Sequence, residues 1–152
     1  MSFPFCPARL ETELGFSRID AEISLASEAF IGGEFEVDAQ SSHGEIGLKF
    51  TDSPVDSVLR CHAETTVGVV QVELDSAFEG TYSLQTVLGT KHVSELDVED
   101  PAGKGRRRVV SQNEARGRVE GELKWVESDG SSSGNEGYVI LKALVPSVKL
   151  VV

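Results

Sequence analysis

Cys61 and His62 are the neighbours in this chain that most directly suggest covalent chemistry, since an imidazole beside a thiol can take its proton and leave a thiolate nucleophile. They sit in the alternating segment Val58 to Ala63, however, and adjacent residues of a strand point to opposite faces, so the two side chains do not meet. The fragment His62-Ala63-Glu64 matches half of a zinc-deaminase signature, but the Pro-Cys-x-x-Cys half is missing. Gly103-Lys104-Gly105-Arg106 has the look of a phosphate loop without its parts. No Ser or Thr follows the lysine, no glycine stands at the right distance before it, and a strand rather than a helix is expected after it. His43, in Ser41-Ser42-His43-Gly44, is expected as an exposed turn residue, and His92 as a surface histidine on a strand.

Carboxylates are abundant, 25 in all, and pairs such as Glu34 with Glu36 or Glu73 with Asp75 share a strand face. Such ladders are expected as solvated surface, and a hydrolase built on two carboxylates has no constellation to support it. The polar stretch Asp129 to Glu136 lacks the order of an EF-hand. No catalytic residue, metal site or cofactor is therefore expected. Two binding groups remain. Trp125 and Tyr82, with Tyr138, have the flat rings that cover the apolar face of a sugar, although Trp125 shares a strand face with Leu123 and Tyr82 with Leu84, which predicts core. Lys104, Arg106, Arg107 and Arg108 form a short basic loop that suits a polyanion, or an acidic surface of this or another subunit.

The charge balance frames that loop. The 152 residues carry 14 basic and 25 acidic side chains, a formal charge of -11, which argues against general binding to nucleic acid or anionic membrane. The distribution is two-ended: residues 1–100 sum to -14 and residues 101–152 to +3. No apolar run reaches the roughly 18 residues of a membrane span. The first ten residues hold two prolines and no apolar signal core, so a cytoplasmic location is favoured. The two cysteines, Cys6 and Cys61, fit no zinc spacing, and a bridge between them requires an oxidising compartment.

Strands must position whatever site exists. Ile19, Ala21, Ile23 and Leu25 alternate with polar residues, as do Phe35, Val37, Ala39 and Ile46, Leu48, Phe50. The one helical expectation is Pro7 to Leu14, with proline at the first turn, Leu10 and Leu14 four apart and Gly15 as cap. A repeat then emerges, a glycine followed by inward residues at offsets of two, four and usually six: Gly33, Gly44, Gly68, Gly80, Gly121 and Gly137 each start one. Glycine supplies the strained backbone of a corner, and the pleat turns alternate side chains inward. The expected organisation is an N-terminal arm over residues 1–18 and one all-β domain over 19–152, with loops at Asp100 to Gly105 and Asp129 to Asn135. The terminal run Val148, Leu150, Val151, Val152 is expected as a buried closing strand or an intersubunit one.

The run Ile31-Gly-Gly-Glu-Phe-Glu-Val-Asp-Ala-Gln-Ser-Ser-His-Gly-Glu-Ile-Gly-Leu-Lys-Phe50 resembles the glycine, strand, polar turn, glycine, strand signature of the bacterial domains named putative-adhesin. Three later stretches are similar to a fungal domain family of unknown function related to them: Phe78-Glu-Gly-Thr-Tyr-Ser-Leu84, Val98-Glu-Asp-Pro-Ala-Gly-Lys-Gly-Arg-Arg-Arg108 and Arg116-Gly-Arg-Val-Glu-Gly-Glu-Leu-Lys-Trp125. The resemblance covers most of residues 19–152. It implies a right-handed β-solenoid-like or coiled β-sandwich fold and no catalytic residues. The function expected is non-enzymatic binding or self-association through sheet faces or edge strands, giving a homo-oligomer or a protein complex. Carbohydrate binding is the alternative, followed by polyanion binding and a carboxylate hydrolase.

Overall fold

A computed structural model of the chain describes residues 8–14, 18–25, 33–51, 57–115, 117–131 and 137–152. Among them every regular element is a strand: β1 (Ala8–Leu14), β2 (Ile19–Ser24), β3 (Gly33–His43), β4 (Ile46–Thr51), β5 (Ser57–Glu73), β6 (Gly80–Thr86), β7 (Thr90–Ser94), β8 (Arg107–Ala115), β9 (Arg118–Val126) and β10 (Gly137–Val151). They join in one mixed sheet, and the protein is all-β. The expected helix is a correction: Ala8–Leu14 is strand β1, parallel to β3 with Ala8 opposite Phe35 and Leu14 opposite Ser41. Leu10 and Leu14 are four apart, which serves a period of two as well as a helix, and pairing with β3 decides between them. Residues 8–14, assigned to the N-terminal arm by sequence, thus continue the sheet. Pro7, Cys6, Gly15, Arg116 and residues 132–136 lie outside the described residues.

The alternation seen in the sequence becomes the core, but its phase breaks inside single strands. In β5 the buried residues run Leu59, Cys61, Ala63, Thr65 and then Val70, Val72, followed by Leu74. In β10 they run Val139, Leu141, Ala143 and then Val148, Leu150, with Val152 beyond. A strand that keeps its direction cannot exchange odd for even positions on its inward face, so the chain turns over at each break. The same exchange separates β3 from β4, where Phe35, Val37 and Ala39 give way to Ile46, Leu48 and Phe50. Each rung therefore has two limbs, and the inward residues of both limbs belong to one hydrophobic cluster. Glycine corners and facing limbs of this kind are common to a β-solenoid and a coiled β-sandwich.

The corners have their own chemistry. Ser41, Thr65, Ala143 and Thr86 stand in register across β3, β5, β10 and β6 at the last inward position before the turn. The Thr65 hydroxyl donates to the Gly44 carbonyl at 3.0 Å and the Thr86 hydroxyl to the Leu144 carbonyl at 3.3 Å, so corner carbonyls that leave the ladder still find donors. Gly68 sits at the β5 corner with φ of +150°, and a Cβ there would lie 2.1 Å from the Gly44 carbonyl oxygen.

Chain order and spatial order part company at β10. The first limb is ordered β1-β3-β5-β10-β6-β9-β8, and in the second β2 pairs β4, β4 pairs β5, and β10 lies between β5 and β7. The last strand is thus inserted between β5 and the β6–β7 pair, parallel to both, with Val139 opposite Cys61 on one side and Tyr82 on the other. The apolar C-terminus is a buried closing strand within the chain. The first limb then continues through the antiparallel strands β9 and β8, while the second stops at β7.

Gly68→Ala adds a clash with backbone to a backbone conformation that L residues avoid, and is expected to cost about 3 kcal/mol in urea denaturation. Gly103, with φ of +67° and nothing within 4 Å of a built Cβ, is the control. Gly103→Ala is expected to cost only about 1 kcal/mol. Equal costs would contradict the tight packing of the corner.

Candidate functional site

Trp125 is where the overhanging hairpin, the basic loop and the core meet. Its backbone N–H donates to Oε1 of buried Glu79 at 2.8 Å, and its indole N–H donates to the Ser76 carbonyl at 2.9 Å. The guanidinium carbons of Arg106 and Arg108 lie 5.7 and 5.9 Å from the centroid of its ring, within cation–π range. The residue is 2% exposed. Tyr82 is equally buried; its ring lies over Gly121, where a Cβ would fall 2.2 Å from its Cζ, and its hydroxyl donates to Gln112 Oε1 at 3.2 Å. Burial, aided by the charge of Glu95, pushes the Tyr82 phenol above its ordinary range. Both side chains are core, as their strand faces predict, and are almost wholly withdrawn from solvent. The exposed aromatic among the described residues is Tyr138, at 38%.

The four basic residues divide. Asp100 holds the loop from within: Oδ1 accepts the Ala102 N–H and Oδ2 the N–H groups of Lys104 and Arg106, each at 3.0 Å. The Arg106 guanidinium closes on the same carboxylate, Nη2 to Oδ1 at 2.9 Å, with the two side chains only 6% and 4% exposed. The Arg106 side chain, with help from the backbone donors, holds the Asp100 carboxyl well below the usual carboxylate range. Arg108 is half-buried and donates from Nη1 to the Leu96 carbonyl at 3.3 Å, while its Nε and Nη2 are shielded without a hydrogen-bond partner. Burial draws its guanidinium below the ordinary arginine range, and Glu95 acts against that shift. Lys104 and Arg107 are exposed. The loop that reads as a polyanion patch therefore spends Arg106 on its own structure. A groove of about 550 Å³ remains beside it, lined by Glu95 to Val98, Arg107, Arg108 and Trp125.

His62 and Cys61 face opposite ways, as alternation requires. Cys61 is a free, buried thiol whose pKa is pushed up to about 12, by burial first and by the charge of Asp38 second, which leaves it protonated and unreactive at neutral pH. His62 lies on the outer face with Nδ1 3.5 Å from Asp38 and Nε2 3.4 Å from Glu64. Among the described residues no group of three His, Cys, Asp or Glu could hold a metal ion.

The end of the sheet contains what the sequence reading passed over. β7 pairs only with β10 and β8 only with β9 among the described residues, so each presents an outer edge. The column of inward residues Ile19, Ile46, Val70 and Val148 ends on β7 in Lys91, the register partner of Val148. The signal was present. Gly89 is followed at offsets of two and four by Lys91 and Val93, the same unit as elsewhere with a lysine in the first inward place. At the corner entering β7, Val87 and Leu88 are 73% and 72% exposed.

Comparison of the chain with protein-family models, curated proteins and solved structures found no match.

Asp100→Asn removes the anionic acceptor of the loop and is expected to lower the melting temperature and to open Lys104, Arg106 and Arg107 to trypsin. The depressed Asp100 pKa means that the ionised carboxylate stabilises the folded state at pH values above its unfolded pKa, about 4, and that this contribution is lost as pH falls below 4 toward the lower folded value. Wild-type stability is therefore expected to fall more steeply with acid below pH 4 than that of Asp100→Asn, measured by urea denaturation. Parallel acid profiles would contradict the assignment.

Proposed function

We propose that the protein is a non-enzymatic binding or self-association module of the adhesin type, acting through its open strand edges. One observation carries this reading: among the described residues the second limb ends at β7, whereas the first continues for two more strands. At about 4.8 Å per strand the step is roughly 10 Å high. Among the described residues, the outer side of Thr90–Ser94 thus forms an unpaired row of backbone donors and acceptors beneath an overhanging hairpin. Such an edge accepts an added strand, whose main chain supplies affinity and whose alternate side chains supply selectivity. The exposed Val87 and Leu88 widen the apolar area next to it.

A second reading, carbohydrate binding, is favoured by a groove that Tyr82 and the exposed Tyr138 both line. This open groove of about 550 Å³ on the outer face is lined by Tyr138 together with Ser83, Ser111, Asn113, Glu120 and Glu122, an aromatic ring among hydroxyl, amide and carboxylate groups. Glycan-array signals that Tyr138→Ala removes are the expected result of that reading, and an array without signals ends it.

For the principal reading, backbone amide exchange is measured by mass spectrometry at low and high protein concentration and with a pool of short Thr/Val-rich peptides varied at alternate positions. Slowed exchange at Thr90–Ser94 or Arg107–Ala115 in at least one condition is expected. Exchange at both edges that stays equally fast throughout, while β5 and β10 remain protected, would contradict it.

A further inference from the structure

The open edge of β7 is not neutral. In a parallel ladder, register partners point to the same face, so Lys91 shares the inward face of Val148 and Val93 that of Leu150, both of which are buried. Lys91 is half-buried, and no hydrogen bond or ion pair reaches it among the described residues. Glu114 lies on the core side of the overhang, being the partner of buried Val119, and makes no ion pair with it. Two residues on, Val93 packs against the core cluster, as does Val110 of β8. The edge thus offers an incoming strand one cationic place and one apolar place, two residues apart.

This pattern discriminates between occupants. An inward-pointing lysine on an edge strand is a device that prevents indiscriminate pairing, because an apolar strand laid beside it would bury the ammonium without a partner. A second copy of this chain offers its parallel edge β2, whose inward residues are Ile19, Ala21 and Ile23, with no carboxylate among them. Stacked head to tail, two copies would also meet unevenly, since the first limb stands two strands higher than the second. A strand with Asp or Glu beside Lys91 and an apolar residue beside Val93 satisfies both places.

We infer that β7 binds an extended, acidic segment of a partner protein, added parallel to Thr90–Ser94, with a carboxylate at Lys91 and an apolar side chain two residues later at Val93. The inference rests on the edge-binding reading above and adds the partner's chemistry to it.

The probe is the peptide acetyl-Thr-Thr-Glu-Thr-Val-Thr-Thr-amide, compared with the same peptide carrying Gln, Val or Lys in place of Glu. Binding to the full chain is followed by amide exchange at Thr90–Ser94 and by titration. The Glu peptide is expected to protect β7 and to bind about tenfold more tightly than the Gln or Val peptides. The Lys peptide is expected to be excluded. Lys91→Gln is expected to abolish the discrimination and Lys91→Glu to transfer the preference to the Lys peptide, with protection of β5 and β10 reporting that each variant folds. Equal protection by all four peptides would overturn the charge selection while leaving the edge reading in place. Failure of every peptide on wild type would overturn this inference, while the edge reading is decided separately by the exchange of both edges at low and high protein concentration. Failure on wild type combined with entry of the Val peptide into Lys91→Val would likewise overturn this inference and make Lys91 a guard alone.

Discussion

Everything in this molecule depends on the insertion of its last strand. β10 is parallel to β5 on one side and to β6 and β7 on the other, over both limbs of the rung. Among the described residues, nothing else in the sheet ladder ties the first five strands to the later ones. Val139, Leu141, Val148 and Leu150 are fully buried in that slot, each between inward residues of neighbouring rungs. Their burial is the main hydrophobic link between two groups of strands that would otherwise each expose an apolar edge. Parallel pairing between distant segments repays its loop-closure entropy late, so the sheet cannot close until the end of the chain is in place.

The overhang follows from that insertion. With β10 taking the place beside β5, β6 is displaced by one strand, and the hairpin of β8 and β9 carries the first limb two strands further than the second. The exposed inner side of the hairpin near Trp125 is then covered by the connection from β7 to β8. Asp100 gives that connection its shape, gathering backbone donors and Arg106 around one carboxylate, and Arg106 and Arg108 flank the indole. The charge contrast of the sequence, acidic body and basic loop, is thus partly consumed as internal pairing. What no described strand pairs with is the outer edge of β7, and there the inward column changes from valine to lysine.

The inward-facing set was legible because a period of two leaves a direct trace in residue types. Phe35, Val37, Ala39, Ile46, Leu48, Phe50, Val70, Val72, Tyr82, Leu84, Leu123, Trp125, Val139 and Leu141 all appear in the sequence pattern and all are buried. The glycines that precede these runs mark the turns, and Gly68 and Gly80 take positive φ at sites where any Cβ would strike a neighbouring carbonyl. The strand at Ala8–Leu14 was obscured by two leucines at a spacing that suits either period, and only a non-local partner, β3, resolves it. The place of β10 was not legible either, since no local signal distinguishes a strand that follows its predecessor from one that returns between two earlier ones. Arg106 and Arg108 were visible as charges. Their partners were not, because whether a charge faces solvent or a buried carboxylate is settled by tertiary structure.

The central claim, that β10 lies between β5 and β6, is tested most directly by nuclear Overhauser contacts from selectively labelled Val139. Contacts to the Cys61 backbone on one side and to the Tyr82 backbone on the other, in the same folded species, are the predicted result. Direct contact between Cys61 and Tyr82, with Val139 near neither, would place β5 beside β6 and contradict the account.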